Sequence, residues 1–148
     1  NAKSVGKEKH ETGISPKHFE TVIQGMSMVI KGGTGGSAAV DGIEVCGKTG
    51  TSQNKKGKDH AIFIALAPRY NPKIAIAVVV ENGGYGGTAS APIVGLMIEQ
   101  YLKGKIERTG YMQQVINQRY RTTAALNSNA AKEVEPVLNN KTKEIIKQ

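Results

Sequence analysis

Lys48, Thr49, Gly50 and Thr51 put an ammonium, two hydroxyls and one position without a side chain into four consecutive residues. On a β-strand Thr49 and Thr51 lie two apart, so their hydroxyls share one face. Gly50 leaves room for another backbone to lie against the strand. If that strand is a sheet edge, its unpaired N–H and C=O groups can accept a peptide as an added strand. A free N–H beside a reacting carbonyl then supplies half of an oxyanion hole. Two hydroxyls and a nearby ammonium make a carboxylate site. Strict alternation sends Lys48 to the face opposite the two threonines, so only the twist of an edge strand would bring all three to one cleft.

The same residues complete a rival pattern. Gly42-x-x-x-x-Gly47-Lys48-Thr49 fits the phosphate-binding P-loop string, and the apolar run 74–80 followed by Glu81 imitates the strand and acid that help place magnesium. A P-loop follows a strand and opens a helix at its Lys-Thr end, where backbone N–H groups wrap the phosphate. Here residues 43–46 read as strand, the preceding stretch 32–42 is Gly-rich rather than apolar, and Gly-Thr-Ser-Gln-Asn-Lys-Lys-Gly at 50–57 does not make a helix. Nucleotide binding stands as the alternative function.

Other reactive side chains form no constellation. His10, His18 and His60 lack metal spacing with Cys46 or the carboxylates. Cys46 is the one cysteine, so no internal disulfide forms, and it reads as a small packed residue whose closeness to Lys48 leaves room for modest reactivity.

The elements that must position Lys48–Thr51 follow from periodicity. Residues 1–14 read as a polar loop. Ser15-Pro16 is a helix start, with Ser as N-cap and Pro at the first helical position. Phe19, Val22, Ile23, Met26, Val29 and Ile30 then recur at helical spacing until Gly32-Gly33. A flexible loop follows at 34–42. Three strands are expected at 43–51, 60–67 and 73–81, with a polar turn at 55–58 and Asn71-Pro72 marking the next. Connections this short imply an antiparallel meander. The second and third runs are nearly continuously apolar, which predicts cover on both faces. Residues 83–87 form a Gly-rich loop, either a plain strand-to-helix turn or an anion seat. Ser90 and Pro92 start a helix whose apolar face is Ile93, Val94, Met97, Ile98 and Tyr101. Tyr111, Met112, Val115 and Ile116 suit a short amphipathic helix, and beyond about Arg121 the composition reads as a loosely held tail. The fold class is α+β, an antiparallel sheet flanked by helices.

Composition bounds the remaining classes. The chain has 148 residues, 39% of them hydrophobic, with 18 Gly and no Trp. Twenty Lys and Arg against twelve Asp and Glu give a net charge of +8. That attracts anions, but no basic block interleaves with aromatics as a nucleic-acid surface requires, so no nucleic-acid partner is expected. The apolar runs 61–67 and 74–80 are far short of the ~20 residues that cross a bilayer.

The order of strand, charged turn, two apolar strands, Gly-rich loop and helix resembles the end of a penicillin-binding protein transpeptidase domain. Three segments carry the resemblance between Ile14 and Leu102: Ile14-Ser15-Pro16 with its helix, Gly42-Ile43-Glu44-Val45-Cys46-Gly47-Lys48-Thr49-Gly50-Thr51-Ser52-Gln53-Asn54, and Val80-Glu81-Asn82-Gly83-Gly84-Tyr85-Gly86-Gly87 ahead of Ala91-Pro92-Ile93. They look most like a class B, elongation-type enzyme. Lys-Thr-Gly is the third signature of that superfamily, after Ser-x-x-Lys and Ser-x-Asn. A serine β-lactamase or carboxypeptidase of the same superfamily shares it and is a further alternative.

The resemblance implies a partial transpeptidase fold: residues 1–104 would be the last three strands and C-terminal helix of the domain, and 105–148 a polar, partly helical tail. It implies that Lys48 serves the proton network of the cleft, that Thr49 and Thr51 hydroxyls bind the carboxylate of a stem peptide or a β-lactam, that Gly50 gives clearance, and that the Thr51 backbone N–H joins the oxyanion hole. No metal or organic cofactor is implied. Ser4-Val5-Gly6-Lys7 and Ser52-Gln53-Asn54 match the other two signatures as strings only. The first stands about 40 residues before Lys48 with polar flanks, and the second lies on the Lys-Thr-Gly strand itself, where it cannot face Lys48 across a cleft. The nucleophile is therefore expected upstream of this chain, the chain alone is expected to be inactive, and the parent is expected to be membrane-anchored with its catalytic domain in the periplasm.

Overall fold

A computed structural model describes residues 11–118. The elements run α1 (Pro16–Lys31), a single 3-10 turn (Gly36–Ala38), β1 (Cys46–Ser52), β2 (His60–Ala67), β3 (Ile74–Val80), α2 (Gly86–Lys103) and α3 (Thr109–Asn117). The strands form one antiparallel sheet in the order β1-β2-β3, which is the meander expected.

Register and period 2 divide the sheet into two faces. Ala61, Phe63, Ala65 and Ala67 of β2 stand opposite Val80, Val78, Ile76 and Ile74 of β3. Together with Ile30, Ala38, Val40, Val45, Ala91, Val94 and Ile98 these residues build the core, with Phe63 fully buried at its centre. α2 closes this face. Its Ser90 Oγ donates to the Ala61 carbonyl at 2.9 Å, and Gly86 sits so close to β2 that a Cβ there would fall 2.2 Å from the Ile62 carbonyl oxygen.

Several sequence expectations change here. The third run is apolar throughout, which predicts cover on both faces; only one face of it is covered. On the other face Ile64 is 45% and Val79 60% exposed; α1 covers this face only at its β1 end, where Cys46 is fully buried. α2 begins at Gly86 rather than near Ser90, and Pro92 lies inside it, in the second turn. Of the apolar face expected for that helix, Val94 and Ile98 are buried, whereas Met97 and Tyr101 point outward. Likewise α1 starts at Pro16 after Ser15 as expected, yet the Ser15 side chain makes no capping bond. Only the C-terminal half of α1 packs, leaving Phe19 and Val22 exposed. The stretch at 34–42 is ordered, not loose: Ala38 and Val40 are core residues, and Val40 bridges to Ile43. β1 begins three residues later than expected, at Cys46.

α3 is tied to the body through charge and aromatic contact. Arg108 Nε donates to Glu99 Oε2 at 3.0 Å, where Glu99 is 2% exposed, and the Arg108 guanidinium stacks over the Tyr111 ring. Gly104, at φ 76, caps α2 in the left-handed conformation. The tail expected beyond Arg121 and the loop expected at 1–10, with Ser4, Lys7 and His10, lie outside the described residues.

Candidate functional site

β1 is the first strand of the sheet, so one of its edges has no neighbour among the described residues. Its position is set from the hairpin turn. The Asn54 N–H donates to Asp59 Oδ1 at 3.0 Å, and Asn54 Oδ1 accepts from the Lys56 N–H at 3.0 Å. Asn54 Nδ2 donates to Asn82 Oδ1 at 2.9 Å. Asn82, at φ 55, in turn donates its N–H to His60 Nδ1 at 3.1 Å. A polar turn is thereby bolted to the end of β3, and the pairing Ser52↔His60 through Cys46↔Leu66 follows from it.

Within β1 the two glycines have different reasons. A Cβ on Gly47 would lie 2.6 Å from the Phe63 ring, so the core itself demands glycine there. A Cβ on Gly50 would meet only Ile62, at 3.3 Å, a contact that a shift of a few tenths of an ångström relieves. Packing within the described residues thus does not by itself demand glycine at Gly50.

Lys48 lies on the open face and is exposed, yet its Nζ bends to the strand edge and donates to the Thr49 carbonyl at 2.7 Å. That single bond supplies what alternation alone does not: the ammonium and the threonine backbone meet at the same edge. Thr49 is on the other face, partly buried, with its Oγ1 3.0 Å from Thr34 Oγ1. It stands against the first turn of α2, where a Cβ on Gly87 would lie 3.8 Å from Thr49 Cγ2. Thr51, two residues on, is exposed on the same side as Thr49. The structure therefore gathers Lys48, Thr49, Gly50 and Thr51 along one edge, and it adds Thr34, which residue spacing does not single out. Its one signal in the sequence is a lone hydroxyl residue inside the glycine run 32–36.

Beneath the strand, Glu44 gathers three partners: it accepts from Lys31 Nζ at 2.8 Å, from Ser27 Oγ at 2.8 Å and from Arg69 Nη1 at 3.4 Å. The Lys31 and Ser27 hydrogen bonds, with a smaller one from Arg69, hold its carboxyl at about 2, well below the usual carboxylate range. Arg69 also pairs with Glu20, so this cluster fastens α1 to the start of β1. Cys46 is fully buried beside it, and burial pushes its thiol above the ordinary value. A thiol so placed is a packed residue and not a nucleophile.

The alternative patterns do not survive the geometry. Lys48 and Thr49 lie mid-strand, no helix follows them, and Gly47 is buried under Phe63, so the P-loop string has no phosphate cradle. Ser52 ends the same strand and Asn54 is consumed by the turn, so that pair cannot face Lys48. Among the described residues no group of His, Cys, Asp or Glu is arranged to hold a metal. No described helix is long and apolar enough to cross a membrane. A hollow of about 580 Å³ between α2, β3 and α3, lined by Ile74, Leu96, Met97, Tyr101 and Val115 among others, contains none of the β1 residues.

The penicillin binding protein transpeptidase domain model matches residues 3–99, and the chain belongs to that family. The peptidoglycan D,D-transpeptidase PbpA of Mycobacterium tuberculosis is 40% identical over 76 residues, covering 45% of this chain and 16% of that protein. Stage V sporulation protein D of Bacillus subtilis is 37% identical over 99 residues, covering 60% of this chain and 15% of that protein. Among solved structures, penicillin-binding protein A of M. tuberculosis as a ceftriaxone acyl-enzyme complex superposes with a TM-score of 0.56 at 34% identity, over 60% of this chain and 22% of that one. Pseudomonas aeruginosa PBP2 in complex with WCK 5153 gives a TM-score of 0.54 at 36% identity, over 64% of this chain and 22% of that one. The chain thus spans about a sixth of the curated relatives' length.

Proposed function

We propose that this chain is one wall of the cleft of a peptidoglycan D,D-transpeptidase, the wall that recognises the ligand's carboxylate and holds the developing oxyanion. The observation that carries the reading is the edge position of β1, with the Lys48 ammonium bent onto the Thr49 carbonyl while the hydroxyls of Thr49 and Thr51 share the other face of the strand. A D-Ala-D-Ala stem peptide or a β-lactam lies along this edge as an added strand. Thr49 and Thr51 donate hydroxyls to its carboxylate, and Gly50 lets its backbone close on the strand. The Thr51 N–H donates to the carbonyl oxygen as charge develops on it. Lys48 supplies positive charge beside the proton-transfer network of the attacking serine.

That serine comes from a segment preceding the chain. Attack on the penultimate D-alanine carbonyl releases D-alanine and leaves an acyl-serine, which an amine of a neighbouring stem peptide resolves. The relatives' names point to the same chemistry, and the ceftriaxone complex is an acyl-enzyme of a structural relative. The parent is anchored at the inner membrane with this wall in the periplasm.

Fluorescent penicillin tests the reading. The complete enzyme is expected to carry the label covalently through denaturing electrophoresis, and the isolated chain to carry none. Labelling of the isolated chain would place the nucleophile within it; an unlabelled complete enzyme would remove the reading altogether.

A further inference from the structure

Resting on that reading of β1, we propose that Thr34 is a positioning residue for carboxylate recognition, acting through the hydroxyl of Thr49. Their Oγ1 atoms are 3.0 Å apart, and Thr34 is exposed while Thr49 is half-buried. Each threonine hydroxyl carries one hydrogen and two lone pairs. In a bonded pair, one hydrogen is used between the two oxygens and the other is left to donate outward. When Thr34 gives, Thr49 keeps its own hydrogen for the ligand, and a hydroxyl that accepts inside such a pair is polarised to donate more strongly beyond it. Without Thr34, the Thr49 hydroxyl rotates freely and its hydrogen has no preferred direction when a ligand arrives.

The loop holds Thr34 in place by means that do not involve its side chain. Gly35, next to it, is packed so tightly that a Cβ there would fall 2.9 Å from the Phe63 ring. The Thr34 carbonyl oxygen lies 2.1 Å from where a Gly87 Cβ would stand. Ser37 Oγ donates to the Gly87 carbonyl at 2.6 Å, which anchors the same loop to α2. The loop is thereby already held to α2 and to Phe63 of β2 by backbone packing and by Ser37, without a staple from the Thr34 side chain. The Thr34 hydroxyl is left with orientation as its task, which extends the hydroxyl row from Thr51 and Thr49 to Thr34.

A staple would affect all ligands alike, whereas an orienting hydroxyl affects only those with a carboxylate. The test is the ratio of acylation rates of the complete enzyme by benzylpenicillin and by benzylpenicillin methyl ester. Thr34→Val is expected to lower the acid-to-ester ratio about five-fold, the worth of one neutral hydrogen bond. Thr34→Ser, which keeps the hydroxyl, is expected to restore it, and Thr49→Val to lower it further. If Thr49→Val lowers the ratio and Thr34→Val does not, the role of Thr34 is overturned while carboxylate recognition by β1 stands. Failure of Thr34→Ser to restore the ratio overturns that role in the same way. If neither valine variant changes the ratio, carboxylate recognition by β1 fails, and the role of Thr34 with it.

Discussion

The two faces of the sheet are built from equally apolar residues and have opposite fates. On one, Phe63, Ala61 and Ala67 are fully buried under α2 and the loop that carries Thr34. On the other, Ile64 and Val79 are about half exposed and Lys48 stands among them. The closed face holds the fold together; the chemistry proposed for this chain belongs to the β1 edge between the two faces. The apolar face left open beside the Lys-Thr-Gly-Thr edge is in keeping with the proposed cleft wall, whose opposite wall would come from another segment. Large exposed apolar patches on a soluble domain mark contact surfaces.

This contrast can be broken by substitution. Phe63→Ala removes the ring at the centre of the closed face and is expected to destabilise the chain by about 3–5 kcal/mol in urea unfolding. A cost below about 1 kcal/mol would show that α2 does not pack as described. Gly86→Ala pushes a methyl against the Ile62 carbonyl. It should cost about 1–3 kcal/mol as α2 is forced off the sheet, again by urea unfolding.

Glu44 gives a pH signature at the junction of α1 and β1. Its carboxyl is held down to about 2 in the folded chain, against about 4.3 in an unfolded one. The folded state therefore favours the charged form. The stabilisation is complete above pH ~5 and is lost as pH falls through about 4 towards the folded value. Glu44→Gln should flatten the Tm-against-pH curve in that window; an equally steep curve in the variant would assign the acid sensitivity elsewhere. The smallest effect belongs to the open face. Val79→Thr should change stability by no more than about 0.5 kcal/mol in urea unfolding; a loss comparable to that of Phe63→Ala would mean this face is closed.

The elements are more legible in the sequence than their surroundings. The three strands and the start of α1 follow from local signals: apolar runs of strand length, Pro16 after Ser15, and short polar turns. What covers β2 and β3 is not local. An apolar, β-branched run signals only that water is to be excluded, without saying by which chain segment, and that is why the sequence predicts burial for Ile64 and Val79. The start of α2 is hidden because Gly86 and Gly87 are poor helix formers; they are helical here because only glycine lets the helix approach the Ile62 and Thr34 carbonyls. In the candidate site, Lys48, Thr49, Gly50 and Thr51 are legible from residue type and spacing. The Thr34 partner is not, since it joins a loop and a strand separated in sequence; nor is the bend of Lys48, a side-chain conformation that strand alternation does not set.

If the edge of β1 serves acyl transfer and not folding, Lys48→Ala separates the two most directly, with two readouts on the complete enzyme. Its unfolding free energy should stay within about 0.5 kcal/mol of the parent, while acylation by fluorescent penicillin slows about a hundred-fold or more. Acylation at the parent rate in a folded Lys48→Ala enzyme would remove β1 from the chemistry.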